Sequence, residues 1–285
     1  MSDRLKIALL LAPALTVIGV LFFGGLAVGV MRSFNYMPVI GLTEPNLDAY
    51  AAILKSEEFL LSFLLSLHIS VTSTVLSATI AVGAALLLRR TFPGRALINF
   101  LFQINLTVPH LVGAIGILYL FSQSGSFARI AAESGLIERP GDFPALIYDP
   151  YAIGIILQYV WKEVPFIGVI VLANMQSIGQ DYEAVARSLG ASRWQGFRHV
   201  LLPMIFPGVL SASVIVFAFT FGAYEMPALL GQTFPAAMPV LAYRKYTDVD
   251  LAARPEAMAM AVVIAVLSAL MIWVYMRYAR RGVRK

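Results

Sequence analysis

The sequence predicts an all-α protein that crosses a membrane six times. Of its 285 residues, 59% are hydrophobic and only 13% are charged, whereas soluble domains carry about 25% charged residues. The mean hydropathy is +0.80. The apolar residues fall into six runs, each long enough to cross the hydrocarbon core as a helix, which takes about 20 residues. Helices are favoured because they satisfy their backbone polar groups within each segment.

These runs and their connections account for residues 1–285 as a single transmembrane domain. The first run is too long for a secretory signal, whose apolar core has roughly 7 to 15 residues, so we expect it to remain as a span. Short helical patterns at residues 46–55 and 127–136 lie in the connections. The spans are predicted at about residues 7–31, 59–88, 96–121, 151–174, 204–229 and 257–276.

The second span carries small residues at steps of three or four. Such a stripe lets neighbouring helices approach closely, and we interpret it as a packing face rather than as the lining of a polar pore. Its members are Ser66, Ser70, Thr74, Ser77, Ala81 and Ala84.

Six spans place both termini on the same side of the membrane. The termini and the connections on that side contain 13 lysines and arginines, against 7 in the opposite loops. By the positive-inside rule, the termini and the segment 181–203 are cytoplasmic. This distribution explains the basic balance of the chain without a nucleic-acid partner.

The polar segment 181–203, which we call the elbow, is predicted to form two short helices that meet at Gly190. Glycine adopts the left-handed conformation that ends many helices. Ser192 and Gln195 fit a capping box for the second helix, and we expect Pro203 to end it. Composition alone allows an amphipathic loop among lipid headgroups. Four apolar residues are candidates to face the membrane-spanning helices: Tyr182, Leu189, Trp194 and Phe197.

The residue order of the elbow resembles the EAA loop of bacterial ABC importer permeases. Glu183-Ala184 is followed by Gly190 and by Leu202-Pro203, while Val185 replaces the second alanine of the family pattern. The resemblance implies a MetI-like fold in the bacterial inner membrane and a coupling helix that docks on a separate ATP-binding subunit. The contact residues that it implies are Glu183, Ala184, Arg187, Gly190, Ala191 and Pro203.

The same resemblance implies the partners of the chain. They are two ATP-binding cassette subunits that hold ATP and magnesium, a second permease subunit that is identical or a sister, an extracytoplasmic solute-binding protein and membrane lipid. The sequence itself contains no phosphate-binding Gly-x-x-x-x-Gly-Lys-Ser/Thr loop, and its three histidines are too scattered to propose a metal site or a catalytic triad. We therefore expect a transport subunit without its own cofactor or enzymatic activity. An ATP-independent channel or carrier and a membrane enzyme are the rival classes.

Several ionisable residues lie inside predicted spans, where a charge costs about 2.5 to 3.5 kcal/mol. Lys162 and Glu163 are adjacent in the fourth span, and Glu225 lies late in the fifth. One interpretation is a substrate pathway, in which either glutamate attracts a cation and Trp161 or Tyr224 supplies an aromatic wall. The other is an ion pair between spans or a side chain that reaches the interface. Both interpretations are open for the two glutamates, whereas the ion pair or interfacial side chain is favoured for Lys162.

The substrate is predicted less directly. The order Leu189-Gly190-Ala191-Ser192 is similar to that of polyamine permeases, and intramembrane acids suit a cation such as putrescine or spermidine. Permeases for sugars, phosphonates, ferric iron and thiamine are alternatives.

Overall fold

The computed structural model describes residues 3–179 and 181–282, with side chains up to residue 277. Within these ranges the chain consists of helices and their connections and has no β-strand, which confirms the predicted fold class. The helices are α1 (Asp3–Ser33), α2 (Asp48–Lys55), α3 (Glu57–Leu88), α4 (Arg95–Ile104), α5 (His110–Phe121), α6 (Ser126–Glu133), α7 (Ile153–Ile178), α8 (Asp181–Ser188), α9 (Arg193–Gly222), α10 (Glu225–Leu230), α11 (Met238–Tyr246) and α12 (Arg254–Gly282).

Six helical segments in this part of the chain are long and apolar enough to cross a membrane. They are Asp3–Ser33, Glu57–Leu88, His110–Glu133, Ile153–Ile178, Arg193–Gly222 and Leu251–Arg277.

The third predicted span, 96–121, is not one helix in the structure. α4 ends at Ile104, a 3-10 turn follows over Asn105–Thr107, and α5 begins after Pro109. The residue before a proline is driven towards extended conformations, and Val108 has a ψ of 125°. The candidate span therefore starts after this break and runs through α5 and α6.

The second helix of the elbow does not end at Pro203, so that prediction is wrong. A π-type turn over Phe197–Leu201 precedes the proline, and the helix continues as α9 to Gly222. The wider turn changes which carbonyl lies opposite the proline, so the missing N–H does not terminate the helix. After Ala223 the chain starts the separate helix α10, which contains the predicted end of the fifth span near residue 229.

The chain forms two compact units, and the single domain expected from the sequence stays a prediction. One unit comprises Met1–Leu61 with Met238–Val266, and the other comprises Ser62–Ala237 with Leu267–Lys285. In the first unit, Lys245 forms an ion pair with Glu256 at 2.6 Å. The second unit contains the elbow and the break between α4 and α5.

The core of the second unit lies where α3, α7 and α9 pack together. The stripe of small residues on α3 is buried except for Ala84, which is partly buried, so the packing interpretation is confirmed. The buried members of this core are Ala81, Ala85, Leu88, Ile167, Val171, Leu172, Met175, Leu201, Ile205, Ala212 and Val216.

Candidate functional site

The elbow consists of α8 and the first turns of α9, joined by a defined turn at Gly190. The φ angle of Gly190 is 86°, in the left-handed region that favours glycine. Its N–H donates to the carbonyl of Arg187 at 3.0 Å, and the N–H of Ala191 donates back into α8 at the same distance, as in a Schellman motif. At the start of α9, Ser192 and Gln195 exchange hydrogen bonds of 2.8 and 3.3 Å. The predicted glycine turn and capping box are both confirmed.

An ion pair ties the elbow to the end of α3. The carboxylate of Glu183 binds the guanidinium group of Arg89, and the two side chains are only 21% and 20% exposed. Sequence analysis assigned Glu183 to a partner subunit and missed Arg89. A signal was present, because Arg89 lies in the connection between the second and third predicted spans, which was predicted on the same side of the membrane as the elbow. Glu183 therefore has a partner within its own chain.

The apolar side of the elbow points outwards. The exposed fractions of Leu189, Trp194 and Tyr182 are 84%, 63% and 56%, so these three residues do not face the membrane-spanning helices. Phe197 is partly buried against the core and packs on the ring of Trp194, with ring centroids 5.5 Å apart. Exposed apolar side chains on a well-defined element are typical of a surface that a partner covers.

The residues assigned to the ATPase contact are mostly accessible. Ala184, Arg187 and Gly190 are exposed, and Glu183 and Ala191 are partly exposed. Pro203 is also exposed but lies inside α9 rather than at its end. Their contact with a partner stays a prediction.

Lys162 lies beside the break between α4 and α5 and is 4% exposed. Its Nζ donates to the carbonyl oxygens of Asn105 at 2.5 Å and Leu106 at 3.3 Å, and also to that of Val108. The carbonyl of Asn105 also accepts from the N–H of Val108 at 3.2 Å, whereas the carbonyls of Leu106 and Val108 lack a helical donor because the chain leaves the helix there. The favoured interpretation, an ion pair between spans or a side chain at the interface, is therefore wrong for Lys162. The ammonium group instead satisfies the carbonyls of a broken helix.

Glu163, the next residue on α7, lies near the other side of the same break. Its carboxylate is 3.3 Å from Nε2 of His110, the first residue of α5, and Glu163 is 6% exposed. The N-terminal end of a helix carries partial positive charge and the C-terminal end partial negative charge. Lys162 therefore lies at the C-terminal end of α4, and Glu163 lies near the N-terminal end of α5. Each charge meets a helix end of opposite partial charge, which explains how both are accommodated inside the protein.

The other proposed pathway residues are less enclosed. Trp161 is 41% exposed, Tyr224 is 38% exposed, and Glu225 is exposed at the first residue of α10. A role for these residues or for Glu163 in a solute pathway stays a prediction. Within the described ranges, no group of three or more histidine and acidic side chains is placed to hold a metal ion.

Six long apolar helices in the described part of the chain are typical of a multi-pass membrane protein. The family described as "Binding-protein-dependent transport system inner membrane component" matches residues 73–285. The chain belongs to this family, and the predicted ABC permease with a MetI-like fold is confirmed.

Similar proteins include two permeases named for their solutes. The molybdenum transport system permease protein ModB of Mycobacterium bovis is 26% identical over 246 residues, which cover 84% of this chain and 87% of the relative. The sulfate transport system permease protein CysT of Escherichia coli is 22% identical over 250 residues, which cover 86% of this chain and 87% of the relative. Neither is named for a polyamine, so these relatives do not support the expected polyamine group.

A solved structure shows the same fold. A chain in the crystal structure of a bacterial alginate ABC transporter, in complex with an alginate pentasaccharide-bound periplasmic protein, aligns with a TM-score of 0.80 at 20% identity. The alignment covers 98% of this chain and 95% of that chain. The two chains thus share one fold over nearly their whole lengths.

Proposed function

We propose that this chain forms, with a second permease subunit, the translocation pathway of an ABC importer for a small oxyanion. Its elbow transmits the movement of two separate ATP-binding subunits, which hold ATP and magnesium, to the membrane helices. The observation that carries this proposal is that the elbow combines a well-defined geometry with an exposed apolar side. A defined element transmits a displacement that a floppy loop would absorb.

Two connections lead from the elbow into the membrane helices. α9 is one helical segment from Arg193 to Gly222, with the π-type turn near its start, so movement of the elbow acts directly on this helix. The ion pair between Glu183 and Arg89 adds a link to the end of α3. Closure of the ATP-binding subunits on nucleotide would therefore move α3 and α9 together. The positive-inside rule supports the cytoplasmic location that this mechanism requires for the elbow and both termini.

An oxyanion is proposed as the solute because the similar permeases are named for molybdenum and sulfate transport. The arrangement around Glu163 agrees with this choice. Its carboxylate is buried and directed at His110 rather than offered to a passing cation. Uptake begins with an extracytoplasmic binding protein, as the description of the family implies.

The coupling proposal is tested by ATP hydrolysis of the reconstituted assembly with loaded or empty binding protein. Glu183→Gln removes the charge that makes the link to α3 an ion pair, and Gly190→Pro imposes a φ near −65° where 86° is needed. Glu138→Gln and Gly135→Pro are matched controls, because Glu138 is an exposed loop residue and Gly135 also has a positive φ of 72°. We expect the elbow variants to lose stimulation by the loaded binding protein and the controls to keep it.

Full stimulation in both elbow variants would contradict the coupling role. Solute transport by the purified chain without ATP-binding subunits would instead favour a channel or carrier.

The solute is tested separately by uptake of radioactive molybdate, sulfate and spermidine into cells that lack their own systems for them. We expect molybdate and sulfate to enter and to compete with each other, while spermidine does neither. Uptake of spermidine alone would overturn the oxyanion proposal and leave the coupling proposal intact.

A further inference from the structure

A basic cavity of about 700 Å³ lies between the end of α3 and the elbow. The arginines that line it are Arg89, Arg90, Arg187 and Arg193. Glu183 offsets the charge of Arg89. Within the described part of the chain, Arg90, Arg187 and Arg193 form no ion pair. Trp194 and Leu86 add apolar surface to the same cavity. The cavity therefore offers a concentrated positive charge beside an aromatic ring.

An apolar groove of about 480 Å³ continues from this cavity. Arg90 and Thr91 line both spaces, so the basic cavity and the groove meet at these residues. The rest of the groove is formed by Ala84, Leu87, Leu88, Phe92, Ile98 and Phe102, on α3, on α4 and between them. A guanidinium-lined space and a hydrocarbon-lined space are thus adjacent at the end of α3.

We propose that the two spaces together bind one anionic phospholipid, with its phosphate in the basic cavity and part of an acyl chain in the groove. Guanidinium groups bind phosphate oxygens through paired N–H donors. Tryptophan is enriched at the level of the lipid headgroups. A free phosphate ion would match the cavity but leave the groove unused, and an acidic protein segment would not need an apolar groove along transmembrane helices.

The bound phosphate lies between the end of α3 and the elbow, the two elements that the proposed coupling joins. Arg90 follows α3 and Arg193 begins α9, so one phosphate group that binds both side chains holds the elbow against α3. This contact acts in addition to the ion pair between Arg89 and Glu183. Coupling therefore depends on anionic lipid, a form of regulation that goes beyond the proposed transport function.

The experiment uses the full transporter, assembled with its ATP-binding subunits, in nanodiscs of phosphatidylcholine with increasing phosphatidylglycerol. Retained phosphatidylglycerol is counted by native mass spectrometry, and stimulated ATP hydrolysis is measured in parallel. Loss of one hydrogen bond to a charged group costs about 1.5 kcal/mol, so Arg193→Gln is expected to weaken retention about tenfold and the double variant with Arg90→Gln about a hundredfold. Ala84→Phe and Ile98→Phe fill the groove without changing the charge, and either is expected to reduce retention.

Arg198→Gln is the matched control, because Arg198 is an exposed arginine of the elbow that lines neither space. It is expected to change retention less than about twofold. An equal loss in Arg198→Gln and Arg193→Gln would overturn the site in favour of diffuse surface charge. Displacement of the lipid by soluble glycerol phosphate, or full retention in both groove variants, would indicate a free phosphate site instead. Release of the lipid on assembly with the ATP-binding subunits would assign the cavity to a protein contact.

Discussion

Replacing Lys162 with methionine tests whether its ammonium group stabilises the break in the third membrane-spanning region. The substitution keeps an unbranched apolar side chain but removes the donor to the carbonyls of Asn105, Leu106 and Val108. Because Lys162 is 4% exposed, water does not readily replace the lost group. The carbonyl of Asn105 keeps the N–H of Val108 as a donor at 3.2 Å. The carbonyls of Leu106 and Val108 lose the ammonium donor, and an unpaired carbonyl costs about 1 to 3 kcal/mol, which amounts to about 2 to 6 kcal/mol for two. Relief of the desolvation of the ammonium group offsets part of this cost, so we expect a net loss of about 1 to 3 kcal/mol.

Thermal unfolding of the purified permease in detergent measures this loss. A change of 1 kcal/mol shifts the midpoint by roughly 2 to 4 °C in proteins of 150 to 250 residues, so we expect Lys162→Met to lower it by about 2 to 12 °C. Lys55→Met is the control, because Lys55 is exposed at the end of α2 and the chemical change is the same. An unchanged midpoint in Lys162→Met would refute the reasoning. If transport were lost at the same time, the pathway interpretation of this lysine would replace it.

Three further predictions concern the elbow and the core. In a double-mutant cycle of Arg89→Gln and Glu183→Gln, the affinity for the ATP-binding subunits is measured. We expect a coupling energy of about 1 kcal/mol between the two substitutions, because the ion pair is partly buried. Additive losses of affinity would contradict a direct link between the two side chains. Gly168→Ala places a Cβ 2.6 Å from the ring of Phe102 and should destabilise the protein by about 1 to 3 kcal/mol in thermal unfolding, whereas Gly83→Ala, with nothing within 4 Å, should not. Ser192→Ala removes the capping box and should lower hydrogen-exchange protection at the start of α9 by about 1 kcal/mol; protection equal to that of the exposed-site control Ser188→Ala would argue against the cap.

Features that depend on neighbouring residues were predicted correctly from the sequence. The turn at Gly190 and the capping box of Ser192 and Gln195 involve hydrogen bonds between residues at most a few positions apart. The stripe on α3 follows from helical periodicity, and burial confirms it. Such local patterns carry enough information because helix geometry alone decides which groups meet.

The effect of individual prolines was not predictable in the same way. Pro13, Pro165 and Pro207 lie inside continuous helices, as does Pro203, while the chain leaves the helix before Pro109. A proline removes one donor in every case, and the surroundings decide whether the freed carbonyls are satisfied. At the break before Pro109 the partner is Lys162, which the sequence does not associate with that position.

The class of the protein follows from the amino-acid sequence, because composition, the lengths of the apolar runs and the EAA-like order are properties of the unfolded chain as well. The use of the ionisable groups, in contrast, depends on the folded arrangement. Arg89 and Glu183 are 94 residues apart, and Lys162 and Asn105 are 57 apart. These pairs form because folding brings distant helix ends together, and the cost of burying a charge selects the arrangement in which each one meets an opposite charge or a helix end. Folding also leaves the apolar residues Tyr182, Leu189 and Trp194 of the elbow on the surface. Helical periodicity predicts one apolar side for the elbow, but it does not decide which way that side faces.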